Sequence, residues 1–116
     1  MDYSSAHRLA QDIRASEEYR TYHELKDSVM SDETTAAQIR EYRKLQVTLQ
    51  MAAVSGQSAN AEDMQRLSGI STLLFSKQEV SNFLLAEIRL QQALADIFRI
   101  VTEAADLDIS IPGSEG

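Results

Sequence analysis

The side chains that could take part in catalysis or bind an ion are few and widely spaced in this chain. The histidines are His7 and His23, and His23 precedes Asp27 by four residues, so on a helix these two side chains could face one ion. Two ligands make a poor metal site, because bound ions usually take three or more protein ligands. We therefore expect a solvated or locally hydrogen-bonded histidine, and neither a metal nor another cofactor.

Adjacent carboxylates occur at residues 17–18, 32–33 and 62–63. Such pairs can act as general acid and base, but each pair here falls in the first turn of a predicted helix, where negative charge stabilises the positive end of the helix dipole. The chain has no cysteine, and its serines form no recognised motif with a base. These features predict a protein that is not an enzyme.

One local cluster of basic residues consists of Arg40, Arg43 and Lys44. On a helix the three would share one side and could meet an acidic protein or RNA phosphates, although a simply solvated helix face is the plainer interpretation. The chain has 11 Lys and Arg against 18 Asp and Glu, a net charge of −7, which argues against general nucleic-acid binding. We expect no DNA partner, and RNA contact through this patch only as an alternative.

A helical scaffold must position these residues, because the sole proline is Pro112 and no hairpin turn signal occurs. Apolar periodicity predicts helices over 4–15 and 33–54. Ser16, the Ser31-Asp32 pair and Asn60 are the predicted caps of the second, third and fourth helices, and Gly56 is predicted to end the third. Ser76 and Glu79 have the spacing of a capping box that starts a fifth helix ending near 105, although a kinked continuation of the fourth helix stays open. We predict an all-α, elongated bundle of about five helices, with one domain over 1–106 and a flexible tail over 107–116.

The amino terminus lacks the apolar segment of a signal peptide, and no apolar run is long enough to span a bilayer. We therefore expect a cytoplasmic protein without direct membrane insertion.

The fifth predicted helix carries more apolar surface than one face of a bundle requires. At about 1.5 Å per residue, its roughly 28 residues make a rod of about 42 Å, longer than the width of about 35 Å of a compact globule of this length. We predict that the chain associates with itself, as a dimer or higher oligomer, and that a charged residue in place of Phe83, Leu90 or Ile97 would disrupt assembly. The residues predicted for this contact are Phe83, Leu90, Ile97 and Val101. The alternative is an elongated monomer with a frayed end.

Four segments of the chain carry a resemblance to a known family. A short helix containing Leu9-Ala10 and Ile13 is followed by Ser16-Glu17-Glu18-Tyr19, with Tyr22 shortly after. The centre of the third helix reads Leu45-Gln46-Val47-Thr48-Leu49-Gln50, and the fifth helix contains Phe83-Leu84-Leu85-Ala86-Glu87. This order of segments, over about residues 5–106, resembles the YlbF/YmcA family of small helical bacterial proteins.

The resemblance implies a self-associating cytoplasmic protein that acts through protein partners. Members of the family regulate competence, sporulation and biofilm formation, and in some bacteria a complex of them works with the membrane-anchored endoribonuclease RNase Y in mRNA processing. Members of that complex hold iron–sulfur clusters through cysteines, which this chain lacks. The resemblance therefore implies a paralogue outside the cluster-holding complex.

The function that follows from the resemblance is that of a non-catalytic regulatory adaptor, with a protein partner from the RNA-decay machinery and no catalytic residue to carry over. An RNA-associated factor that uses the basic patch is the alternative.

Overall fold

Five α-helices make up the described part of the chain. The computed structural model describes residues 1–106, and within them no strand occurs. The prediction of an all-α fold is confirmed, and the predicted bounds of the first and third helices and the end of the fifth match within one residue. The predicted tail over 107–116 lies outside the described residues. The helices are α1 (Ser4–Arg14), α2 (Glu17–Met30), α3 (Glu33–Val54), α4 (Ala61–Phe75) and α5 (Gln78–Ala105).

The described residues divide into two compact units. Unit 1 contains Met1–His23 and the described residues from Leu84 onward, and unit 2 contains Glu24–Phe83. The division falls inside α2 and α5 and not in a linker, so each of these helices contributes residues to both units. The single domain predicted over residues 1–106 stays a prediction.

The core of unit 2 draws on four helices. Its largest fully buried side chains are Ile39 of α3, Leu74 of α4, and Val80 and Phe83 of α5, and α2 adds the buried Val29. Helices α3 and α4 pack together as a helical hairpin joined by residues 55–60. The apolar stripes predicted for these helices therefore face a common interior.

Side-chain caps begin α2, α3 and α4 where the sequence predicts them. Ser16, Asp32 and Asn60 each accept a backbone N–H from the first turn of the following helix, at distances between 2.8 and 3.3 Å. Gly56, which follows the end of α3, has a φ of +77°. This left-handed conformation is one that glycine adopts without steric cost, and it ends the helix as predicted.

The start of α5 differs from the prediction. The helix begins at Gln78, so Lys77 and not Ser76 is its N-cap residue. The Ser76 hydroxyl donates to a carbonyl in the last turn of α4 at 2.6 Å, and the Glu79 carboxylate accepts a hydrogen bond from the Ser28 hydroxyl. The predicted capping box is wrong because both of its side chains are engaged elsewhere. The prediction of a separate fifth helix is confirmed.

Thr35 is a polar side chain buried in unit 2. Its Oγ1 donates to Asp32 Oδ2 at 2.7 Å and accepts from Lys77 Nζ at 3.1 Å. The hydrogen bond from Thr35 is the main reason that the pKa of Asp32 lies below its ordinary value, and the Thr34 N–H and the positive charge of Lys77 act in the same direction against a desolvation that raises it. The hydroxyl thus connects the cap of α3 to the turn that precedes α5.

We expect Asp32→Ala to reduce the loss of stability in acid. The folded pKa of Asp32 is depressed, so its carboxylate stabilises the fold above the unfolded pKa, and this stabilisation is lost as the pH falls through the folded pKa. Thermal unfolding followed by circular dichroism should show a lower Tm for the variant at about pH 7 and a smaller difference from wild type at about pH 2.

Asp32→Asn is the matched control, because asparagine keeps a capping oxygen but does not titrate. It should unfold at a temperature between those of the wild type and the alanine variant at neutral pH. The explanation fails if the alanine variant differs from wild type by the same Tm at both pH values.

We also expect Phe83→Ala to destabilise the fold by about 3–5 kcal/mol, because it empties a fully buried aromatic site. Urea unfolding measures this change. Val54→Ala is the control, since Val54 is largely exposed and its truncation should change the free energy of unfolding by less than about 0.5 kcal/mol. Similar effects of the two substitutions would contradict the assignment of Phe83 to the core.

Candidate functional site

His23 and the three acidic pairs, the candidates for metal or acid–base chemistry, lie on α2, α3 and α4 or at the starts of these helices. His23 is half-buried and packs against the rings of Tyr19 and Tyr22, with centroid separations of 4.1 and 5.1 Å. Within residues 1–106, no group of three or more His, Cys, Asp or Glu side chains could hold a metal ion. The three acidic pairs lie at the beginnings of α2, α3 and α4, as predicted from the helix dipole.

In unit 1, α5 leaves a set of large apolar side chains in contact with solvent. Their exposed fractions lie between 46% and 63%. At about 3.6 residues per turn these side chains point to several sides of the helix, and contact of each of them with water is unfavourable. These exposed fractions agree with the expectation that α5 carries more apolar surface than one face of a bundle requires. We call this set the α5 apolar surface, and it consists of Leu85, Ile88, Phe98, Ile100 and Val101.

The residues predicted for self-association lie in different environments. Phe83 is fully buried in the core of unit 2, so it is not available to a partner. Leu90 and Ile97 are half-buried and line a groove of about 180 Å³ together with apolar residues of α1. Only Val101 belongs to the α5 apolar surface. Two of the four predicted residues therefore lie beside α1 of the same chain.

The sequence did contain a signal for this difference. Helix α1 has its own apolar stripe at Leu9, Ala10 and Ile13, and an amphipathic helix must cover an apolar face somewhere in its own fold or in a partner. Leu9 and Ile13 line the groove with α5. Assigning one face of α5 to α1 would have directed the prediction to the remaining apolar residues of α5.

Unit 1 buries little of its own surface. Helix α1 contains no buried residue, and in the α5 part of the unit the buried apolar residues are Leu84 and Ala86. Small domains bury a smaller fraction of their surface than large ones do, so each further apolar contact matters more for their stability. The half-buried stripe of α1 and the α5 apolar surface therefore both remain incompletely covered within unit 1.

A second exposed face runs along α3 in unit 2. Its residues follow one another at spacings of four, three, four and three positions, which places them in one line along the helix. We call this face the α3 stripe, and it consists of Arg40, Lys44, Val47, Met51 and Val54. The two basic residues are exposed, and the three apolar residues are 53%, 68% and 87% exposed in chain order. The stripe is therefore basic in its first half and apolar in its second.

Arg43 does not extend this stripe as a third free cation. Its side chain is half-buried, and the guanidinium carbon lies 5.9 Å from the centroid of the Phe83 ring. At this distance a guanidinium interacts favourably with the face of an aromatic ring. The basic patch predicted from the sequence thus presents Arg40 and Lys44 to solvent, while Arg43 packs on the core of unit 2.

Among the described residues, no helix combines the length and the apolar character needed to cross a membrane.

Comparison with known proteins identifies similar chains of nearly the same length. A family model described as "Control of competence regulator ComK, YlbF/YmcA" matches residues 3–105. A UPF0342 protein of Halothermothrix orenii is 32% identical over 108 residues, which cover 93% of this chain and 92% of that protein. A UPF0342 protein of Symbiobacterium thermophilum is 27% identical over 107 residues, with 92% and 96% covered.

A solved structure has a similar fold. It is described as a protein of unknown function (DUF964) from Bacillus stearothermophilus, and it matches with a TM-score of 0.72 and 19% sequence identity. The match covers 90% of this chain and 91% of the other. At this identity the likeness concerns the fold alone.

We expect Arg43→Ala to destabilise unit 2, whereas Arg40→Ala should not. Removing the guanidinium from the Phe83 ring should cost about 1 kcal/mol, while loss of an exposed arginine from the same helix should cost less than about 0.5 kcal/mol. The free energy of unfolding in urea provides the comparison. Equal values for the two variants would remove the distinction between Arg43 and the exposed cations.

Proposed function

We propose that this chain, which belongs to the YlbF/YmcA family, is a non-catalytic regulatory adaptor that acts through contacts with other proteins. The observation that carries the proposal is the α5 apolar surface. A helix that leaves Ile88 and Ile100 more than half exposed gains stability when a second apolar surface removes them from water. The family description, control of a competence regulator, supports a regulatory function for such contacts.

In this proposal the first partner of the α5 apolar surface is a second copy of the chain. Unit 1 supports this choice, because its helix α1 has no buried residue and its apolar residues exceed what the unit covers. Identical chains most often pair about a twofold axis, in which the same surface of each copy meets the other. Self-association would therefore complete the burial that unit 1 lacks.

The proposal of a non-catalytic role rests on the contacts of His23 and the positions of the acidic pairs. His23 packs against tyrosines, and the acidic pairs occupy the first turns of helices. General acid–base catalysis needs such groups within hydrogen-bond reach of a substrate and with pKa values near the working pH. Engagement in helix starts and ring packing favours a structural role for these residues.

The downstream partner in the proposal is a protein of the RNA-decay machinery, as the family resemblance implies. Because the chain has no cysteine, it cannot supply thiolate ligands to an iron–sulfur cluster. We therefore propose a paralogue that keeps the family scaffold and acts outside the cluster-holding complex, in the control of competence and related developmental processes.

Ile88→Asp and Ile100→Asp should each shift the purified protein from an oligomer toward the mass of one chain. A buried carboxylate without a partner is costly, whereas the same carboxylate on an exposed helix face is not, so the fold should persist. Size-exclusion chromatography with light scattering gives the mass, and circular dichroism checks the helix content.

Gln92→Asp is the matched control, because Gln92 is exposed on the same helix and is already polar. It should leave the mass unchanged. A wild-type protein with the mass of one chain, or isoleucine variants that keep the oligomeric mass, would count against self-association through α5.

The adaptor function itself is tested by affinity purification of the tagged chain from its native host, with the recovered proteins and RNA identified. We expect specific proteins to be recovered in equal amounts before and after nuclease treatment, because the proposed contacts are between proteins. Recovery that depends wholly on RNA would contradict the proposal and would favour an RNA-associated factor.

A further inference from the structure

We propose that the α3 stripe is a docking site for an amphipathic helix of a different protein, whose apolar side chains continue into acidic residues at one end. The inference rests on the proposed adaptor function and adds a location and a chemistry for the partner. It uses the described residues of unit 2 only, and none of the residues assigned above to self-association.

The geometry of the stripe suits a helical partner. The spacings of four and three residues are those of a helix seam, in which side chains of one helix fit between those of a second. From Arg40 to Val54 the stripe covers about 21 Å of helix at about 1.5 Å per residue, or about four turns. This length matches the contact that an amphipathic helix makes through residues spaced over several turns.

The side chains of the stripe are available for such a contact. Val47, Met51 and Val54 have more than half of their surface exposed, although α3 contributes its opposite residues, such as Ile39 and Leu45, to the core. Exposed valine and methionine side chains lined up on one face are unfavourable in water. Methionine in particular adapts its shape to irregular partner surfaces.

The charges of the stripe indicate the chemistry of the partner. Between Glu41 and Glu62 the chain contains no acidic residue, and Glu41 forms an ion pair with Arg66 of α4. The first half of the stripe is therefore a positively charged surface in a chain of net charge −7. Acidic residues on an incoming helix would be attracted to Arg40 and Lys44, and basic residues would be repelled.

A second copy of α3 fits this stripe poorly. In a parallel pair Arg40 and Lys44 would each face their own counterparts, which is repulsive. In an antiparallel pair centred on Val47, Arg40 would lie opposite Val54 and Lys44 opposite Met51. Neither arrangement brings an acidic side chain to the two cations, so the occupant that satisfies both halves of the stripe is a different helix.

An RNA strand satisfies only the basic half. Binding of single-stranded RNA relies on basic side chains interleaved with aromatic residues on which bases stack. The second half of the stripe offers aliphatic and thioether side chains instead. The combination favours a protein helix.

Two synthetic helical peptides of about 21 residues test the inference. Both carry leucines at spacings of four and three residues, and one half of the seam is flanked by glutamate in the first peptide and by lysine in the second. Fluorescence anisotropy against the full chain should show that the glutamate peptide binds about tenfold more tightly than the lysine peptide. The Arg40→Glu, Lys44→Glu double variant should reverse this preference.

Met51→Asp should abolish binding of both peptides, because it places a carboxylate in the apolar half of the stripe. Gln46→Asp is the matched control: Gln46 is exposed on α3 and is not three or four positions from any residue of the stripe, so binding of the glutamate peptide should persist. All substituted residues are exposed, and circular dichroism verifies that the variants keep their helix content.

The inference is overturned if the wild-type chain binds neither peptide, binds both equally, or keeps its preference in the double variant. It is also overturned if Met51→Asp lowers the oligomeric mass of the chain in the absence of peptide, since a second copy would then occupy the stripe. Binding of RNA by the stripe residues, without binding of either peptide, would overturn it as well. These results do not bear on the adaptor function. That function is tested by the mass of the α5 variants and by the proteins recovered after nuclease treatment, and neither experiment uses an α3 substitution.

Discussion

The first two turns of α5 supply apolar side chains to the core of unit 2. Val80 and Phe83 are fully buried in unit 2, together with Ile39 of α3 and Leu74 of α4. The α5 residues Val80 and Phe83 pack against the hairpin of α3 and α4. They add apolar contacts that the two helices of the hairpin could not make with each other alone. Helix α5 continues past Phe83 without a break. The apolar residues of this later part are only partly covered in unit 1.

The same core decides the electrostatics of α3. Phe83 presents its ring to Arg43, which takes one cation out of the basic cluster. Thr35 connects Asp32 with Lys77 inside the fold, so a hydroxyl that would otherwise be unfavourable to bury is satisfied on both sides. Arg40 and Lys44 then remain as exposed cations in line with the apolar end of α3. Packing, and not the spacing of charged residues alone, produces the mixed basic and apolar stripe.

An adaptor of this kind places few demands on individual side chains. A fold alone does not imply an activity, and contact surfaces need only an apolar area of suitable shape and charges of suitable sign. The two proposed surfaces of this chain differ in this respect. The α5 apolar surface suits a symmetric contact between copies, whereas the α3 stripe, with its two unlike halves, suits a directional contact with another protein. Separate surfaces would let one chain assemble and recruit at the same time.

The local features of this protein follow from its amino-acid sequence: five helices, the caps at Ser16, Asp32 and Asn60, the glycine that ends α3, and the apolar excess of α5. These features depend on hydrogen bonds and periodicities within a few residues, which can be read directly along the chain. Three further features become visible in the packed helices alone. Some apolar residues of α5 lie beside α1, Phe83 is core while Ile88 and Ile100 stay exposed, and Glu79 bonds to Ser28 and not to its own helix start. Those outcomes depend on which helices meet, and two helices with equal periodicity can bury different faces when the partners that cover them differ.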